Sequence, residues 1–171
     1  IVGLYHLFLR RMPSTTLIIS LFWGTILAIA VAAAWYLPMY LRHGWEFIDE
    51  FFVQHHFQRY TSNKYLHPQP FHFFFWVLPL MTIPWIPFFF ISVWRGIRGV
   101  YPLPPKESTD PLAAFAWAWM LVPLFFFSFS GSKLPGYVLP AVPAAIVIAS
   151  FGAFHFAQKR ARNATIVMAS I

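Results

Sequence analysis

The chain of 171 residues is 59% hydrophobic and only 10% charged, against roughly 25% charged residues in soluble proteins, so water is excluded as its only solvent. It contains no cysteine, which removes disulfides, thiolate metal sites and a cysteine nucleophile together. The net charge of +7 does not point to nucleic acid, because Lys and Arg stand singly or in small groups beside apolar runs, not as a stripe on a soluble surface.

In chain order, no charged residue lies between Arg11 and Arg42, and residues 17–37 suffice for one helical crossing of a ~30 Å hydrocarbon core. Trp35, Tyr36, Tyr40 and Trp45 fit an aromatic girdle at the far end of this span. Residues 44–60, GWEFIDEFFVQHHFQRY, place Trp45, Ile48, Phe51 and Phe52 at helical spacing, with Glu46, Asp49 and Glu50 on other faces. That pattern predicts an amphipathic helix lying in the membrane interface.

Further uncharged runs occupy 71–94, 111–132 and 134 to about 157, and Ala164 onward begins a fifth. Pro79, Pro84, Pro87, Pro123, Pro140 and Pro143 predict kinks that a membrane bundle tolerates. Runs this long and continuous do not match the short alternating strands of a membrane β-barrel. The expected fold is therefore all-α: a polytopic transmembrane helix bundle of about four full spans plus the start of a fifth. Residues 1–171 form part of one transmembrane domain, with 44–60 as an interfacial helix inside it. The chain starts at Ile1 and stops at Ile171 within an apolar segment, so an internal piece of a larger protein is expected.

Orientation follows from the cations in the connectors. Arg10, Arg11, Arg95, Arg98, Lys106, Lys159, Arg160 and Arg162 fall on one side, and Arg42, Arg59, Lys64 and Lys133 on the other. The positive-inside rule puts the larger set in the cytoplasm. The 42–70 connector and the one around Lys133 then lie on the outer side. The Pro-rich stretch 101–111 reads as a short extended cytoplasmic linker.

The two outer connectors hold the candidate chemistry. On a 3.6-residue period Phe52, His56 and Arg59 share one side, and His55 stands one turn before Arg59. Arg59 either contacts lipid headgroups or binds a phosphate, whose oxygens its fork of donors matches. His55 and His56 are adjacent and diverge on a helix, so they do not chelate as a pair, but either can join a metal ligand from another segment. His67 and His72 read as interfacial polar anchors around the turn into the next span. In FSFSGSKLPGYVLP, residues 127–140, Lys133 either snorkels to the interface or, with Tyr137, donates to an anionic group. Gly131 and Gly136 are expected to allow close backbone approach there, and Pro135 to stiffen the turn.

The strings at residues 50–85, EFFVQHHFQRYTSNKYLHPQPFHFFFWVLPLMTIPW, and 128–140, SFSGSKLPGYVLP, resemble the bacterial protein O-mannosyltransferase-like superfamily, which includes the lipid A aminoarabinose transferases. The similarity lies in His-x-x-x-Arg-aromatic at His55 to Tyr60, His-x-x-Pro-Phe at His67 to Phe71, and Ser-Lys-Leu-Pro-x-Tyr at Ser132 to Tyr137, the last being the most specific. The resemblance implies part of a GT-C fold in the cytoplasmic (inner) membrane. It also implies a glycosyltransferase that moves a sugar from a polyprenyl-phosphate donor to a lipid or protein acceptor on the outer face, with inversion.

It implies further that Arg59, Lys133 and Tyr137 approach the donor's lipid phosphate. A divalent metal in some relatives keeps His55 and His56 as candidate ligands. The family's catalytic base is implied for a first outer loop that these residues do not include, and Glu46, Asp49 and Glu50 do not correspond to it, so no catalytic residue is assigned here. The alternatives are a non-catalytic transporter, which wants polar residues in mid-span, or a structural membrane subunit. Polarity concentrated at the outer connectors, with no charge in mid-span, favours the interfacial enzyme.

Overall fold

The computed structural model describes residues 1–61, 68–98 and 111–169, except the side chains of residues 55, 56, 59 and 161–169. Lys64, His67 and all but the last residue of the linker expected at 101–111 lie outside the described residues, and Pro111 begins a helix. The described residues form helices and no strand, and the order is α1 (Val2–Leu9), α2 (Thr15–Ile48), a π-helix (Asp49–Gln58), one α-turn α3 (Arg59–Thr61), α4 (Phe73–Leu80), α5 (Ile86–Ile97), α6 (Pro111–Ser128), a 3-10 helix (Pro135–Ala141) and α7 (Val142–Ala169). Three helical stretches, Thr15–Gln54, Pro111–Ser128 and Pro135–Arg160, are long and apolar enough to cross a membrane. The chain is thus an all-α, multi-pass membrane protein.

Two compact units make up the chain: one comprises Ile1–Arg10, Pro70–Phe129 and Leu134–Ile171, the other Arg11–Gln69 and Ser130–Lys133. In the second unit, α2 starts where Ser14 leaves the helical region and its side chain accepts from the Leu17 N–H at 3.2 Å. A cap of this kind is worth about 1 kcal/mol. None of the α2 residues is buried, as suits a helix whose apolar side chains need lipid or protein around them. Its 34 residues extend about 50 Å at the usual rise, more than one crossing requires.

The end of α2 is broken at Gly44, whose φ of 63° and ψ of −146° are accessible to glycine and strained for other residues. The break lets the following segment turn back, and the rings of Phe47, Phe51 and Phe52 gather 6.2, 5.7 and 5.4 Å from that of Tyr36. Tyr36 is therefore half-buried under these rings, while Trp35, Tyr40 and Trp45 are exposed.

The expected amphipathic α-helix over 44–60 is in fact the last α2 turn, the π-helix and α3. Hydrogen bonds in a π-helix run i→i+5 and widen each turn. The 3.6-residue alignment of Phe52, His56 and Arg59 therefore does not hold. The wider register shows in Gln54, whose amide donates to the Asp49 carboxylate five residues earlier at 2.8 Å.

In the first unit, the core consists of Phe74, Leu78 and Phe89 packed against Trp117, Met120 and Leu124 of α6 and the alanines of α7. Ala116, Ala141, Ala144, Ala145 and Ala149 are all buried. Such small residues let helices approach closely where lipid removes the usual hydrophobic drive. The approach is tightest at Gly152, where an added Cβ would stand 2.3 Å from the Phe88 carbonyl oxygen and 2.7 Å from Ser92 Oγ. Further along the same two helices, Arg95 and His155 are joined through Nη1 and Nε2. Arg98 lies 4.3 Å over the Trp94 ring, a cation–π contact.

The run 71–94, expected to be one span, is split into α4 and α5 by the turn at 81–84. Pro79 and Pro84 lack the N–H groups that would carry a helix through this stretch. Thr82 repairs the break: its N–H and its hydroxyl both donate to the Pro79 carbonyl, at 2.9 and 2.7 Å, and it is 1% exposed. The fifth span expected from Ala164 is instead the continuation of α7, which runs unbroken to Ala169.

Candidate functional site

The two connectors singled out in the sequence meet within the second unit. The carbonyl of Tyr60 accepts from the Gly131 N–H at 2.7 Å and from Ser130 Oγ at 3.3 Å. Ser130 Oγ also lies 2.9 Å from the Ser132 carbonyl oxygen. The Lys133 ammonium donates to the carbonyls of Ser130 at 2.6 Å and Gln69 at 3.0 Å. The tetrapeptide 130–133 thereby binds Tyr60 at one end of the 61–68 stretch and Gln69 at the other.

The local sequence explains this arrangement. After Ser128, whose hydroxyl bonds back to the Leu124 carbonyl at 2.7 Å, α6 stops. Pro135 cannot donate to a ladder, and it opens the 3-10 helix, so the intervening residues adopt no repeating structure. Their polar groups must find other partners. Gly131, Ser130 and Lys133 find the Tyr60 and Gln69 carbonyls, and Ser130, Ser132 and Lys133 are buried.

Lys133 is only 6% exposed, which does not match the snorkelling alternative. Among the described residues its partners are two neutral carbonyls and no carboxylate. An ammonium has three donors, and a buried cation without a counter-charge is costly. Beside it, Ser132 is 0% exposed and its hydroxyl has no hydrogen-bond partner among the described residues.

Arg59 opens α3 one residue before the anchored Tyr60 carbonyl, so its backbone is fixed to the turn that carries Lys133. Its side chain, like those of His55 and His56, lies outside the described residues. Tyr137 belongs to the first unit, where it sits on the 3-10 helix with its ring 5.4 Å from that of Phe127. At Gly136 an added Cβ would meet only the Leu139 side chain, at 3.9 Å. His72 precedes α4 and is exposed.

No group of three or more His, Asp or Glu able to hold a metal occurs among the described residues. The described residues offer no complete metal shell, and no chemical step is derived through one. Sequence reasoning missed the clasp formed by Ser130, Gly131 and Gln69. The signal available was the alternation of serines in FSFSGSK between two apolar spans, which marks polar groups needing buried partners.

Comparison with known proteins gives several relatives. The chain is 32% identical over 128 residues to the undecaprenyl phosphate-alpha-4-amino-4-deoxy-L-arabinose arabinosyl transferase of Photorhabdus laumondii, covering 74% of this chain and 22% of the relative. The protein of that name from Serratia proteamaculans is 29% identical over 127 residues, 74% of this chain and 21% of the relative. An uncharacterized protein of Aquifex aeolicus is 29% identical over 150 residues, 88% of this chain and 32% of the relative. The chain thus spans about a fifth to a third of the length of these relatives. No protein-family model and no solved structure matches it.

Proposed function

We propose that this chain, homologous over three quarters of its length to aminoarabinose transferases, is part of a glycosyltransferase of the inner membrane that uses a polyprenyl-phosphate-linked sugar. The buried Lys133 ammonium, compensated among the described residues only by neutral carbonyls, is the observation that supports this reading. A lipid phosphate supplies the missing anion. Arg59, in the same unit as Lys133, supplies further donors to its oxygens.

In the proposed reaction an acceptor hydroxyl or amine of a lipid or protein attacks the anomeric carbon. The new bond forms as the bond from that carbon to the phosphate oxygen breaks, inverting the carbon. The electron pair leaves on the polyprenyl phosphate, and the acceptor proton passes to a base that is not assigned among these residues. Charge grows on the phosphate oxygens as the bond breaks, and fixed cations and donors there stabilise the transition state more than the ground state. Positive-inside counting supports an outer location for the 42–70 connector and for Lys133.

The broken helix at 81–84 does not favour a transporter. Pathways built on interrupted helices present freed carbonyls to their cargo, whereas here the N–H groups of Thr82 and Trp85 and the Thr82 hydroxyl bond within the turn. The test is transfer from defined polyprenyl-phosphate sugars by the protein in its own membrane, with and without a chelator. Transfer that depends on the lipid phosphate supports the reading, and failure with every such donor overturns it. Loss of transfer on chelation, restored by a divalent cation, would bring His55 or His56 in as metal ligands.

A further inference from the structure

The first unit carries an unbalanced charge at one end. Its described residues include no Asp or Glu, and its two carboxylates, Glu107 and Asp110, belong to the stretch outside them. The contacts between α5 and α7 advance along both helices: Gly152 lies against Phe88 and Ser92, and His155 bonds Arg95. The two helices therefore run in the same sense. The contact of Arg95 with His155 pins them one turn before Arg98 on α5 and one turn before Lys159 on α7, and both of these cations are exposed.

Neither cation is neutralised where it stands among the described residues. Arg98 lies over the Trp94 ring, which attracts the guanidinium and leaves its charge in place. Lys159 does not serve a negative helix end, because α7 continues to Ala169. Trp94 is itself exposed, and tryptophan belongs at the depth of the headgroups.

We propose that Arg98 and Lys159 form a headgroup site for an anionic glycerophospholipid, which sets its phosphate between the two cations and its acyl chains against Trp94. Basic recesses between membrane helices take such headgroups, and the guanidinium fork matches the phosphate oxygens. The site lies in the first unit and does not depend on the lipid-phosphate reading of Lys133, which belongs to the second.

The test is equilibrium binding of dioleoyl phosphatidylglycerol, against dioleoyl phosphatidylcholine, to the full protein in neutral detergent, read by native mass spectrometry. Arg98→Gln and Lys159→Gln are each expected to weaken binding of phosphatidylglycerol roughly fivefold, and together about ten- to thirtyfold, with phosphatidylcholine unaffected. Arg42→Gln, the same loss of charge in the other unit, should change it less than about twofold. Should the glutamine variants fail to accumulate, wild-type binding is followed as salt rises from about 0.05 to 0.5 M, where a loss of several-fold is expected.

Equal binding of the two lipids, wild-type affinity in the double variant, an equal loss in Arg42→Gln or binding indifferent to salt overturns the site. Binding that emerges only in Glu107→Gln/Asp110→Asn protein also overturns it, and assigns the two cations to the chain's own carboxylates. Transfer from polyprenyl-phosphate sugars is measured separately, so the failure of one reading leaves the other standing.

Discussion

Replacement of Lys133 by methionine, which keeps an unbranched side chain one atom shorter and removes its charge, probes the site most directly. The ammonium now donates to Ser130 and Gln69 at 2.6 and 3.0 Å in a nearly closed environment. Hydrogen bonds to charged groups contribute about 1.5–3 kcal/mol, and a buried carbonyl left unpaired costs about 1–3 kcal/mol. If the third donor meets the lipid phosphate, its loss alone should raise the KM for the donor roughly tenfold to a hundredfold. The two orphaned carbonyls should in addition lower the thermal stability of the detergent-solubilised protein.

The assay is sugar transfer across a range of polyprenyl-phosphate sugar concentrations, normalised to inserted protein measured by fluorescence-detected size exclusion. The expected Lys133→Met enzyme recovers part of its rate at high donor concentration. Wild-type KM in a destabilised variant would show that Lys133 only ties the loop, and the phosphate assignment of Lys133 would fall.

Arg59→Ala should weaken use of the lipid donor at least tenfold with membrane insertion intact, since a guanidinium pairs with phosphate oxygens in a bidentate way that a methyl group cannot; transfer at the wild-type level in purified membranes would contradict this. Gly44→Ala should cost about 1–3 kcal/mol, because the left-handed φ of 63° is retained under strain although space is open around the new methyl group; a melting temperature equal to wild type would refute it. Gly152→Ala should destabilise by about 1–3 kcal/mol through separation of α5 from α7, and thermal unfolding in detergent measures it. Its donor KM should match that of the wild type.

The sequence by itself determined the class of the protein and the position of its motifs. A hydrocarbon solvent demands long uncharged helices, and that demand is written directly in composition and run length, from α2 through α6 to α7. The resemblance carried by SKLPGY is likewise legible because it is local. What the sequence did not determine is where local periodicity yields to geometry. The 3.6-residue reading of 44–60 failed because Gly44 breaks α2 and the following ten residues wind as a π-helix, which changes the faces on which side chains lie.

Likewise, the run at 71–94 is uniformly apolar, yet proline and the back-bonding of Thr82 divide it. Lys133 was the sharpest case: sequence alone left it either snorkelling or binding an anion. Only the tertiary structure, by bringing the carbonyls of Ser130 and Gln69 to its ammonium and Tyr60 to Ser130 and Gly131, made it a buried cation. The reason is that Gln69 lies 64 residues from Lys133 and Tyr60 70 residues from Ser130 along the chain, beyond the reach of any local pattern, and it is their approach that converts an interfacial charge into a buried one.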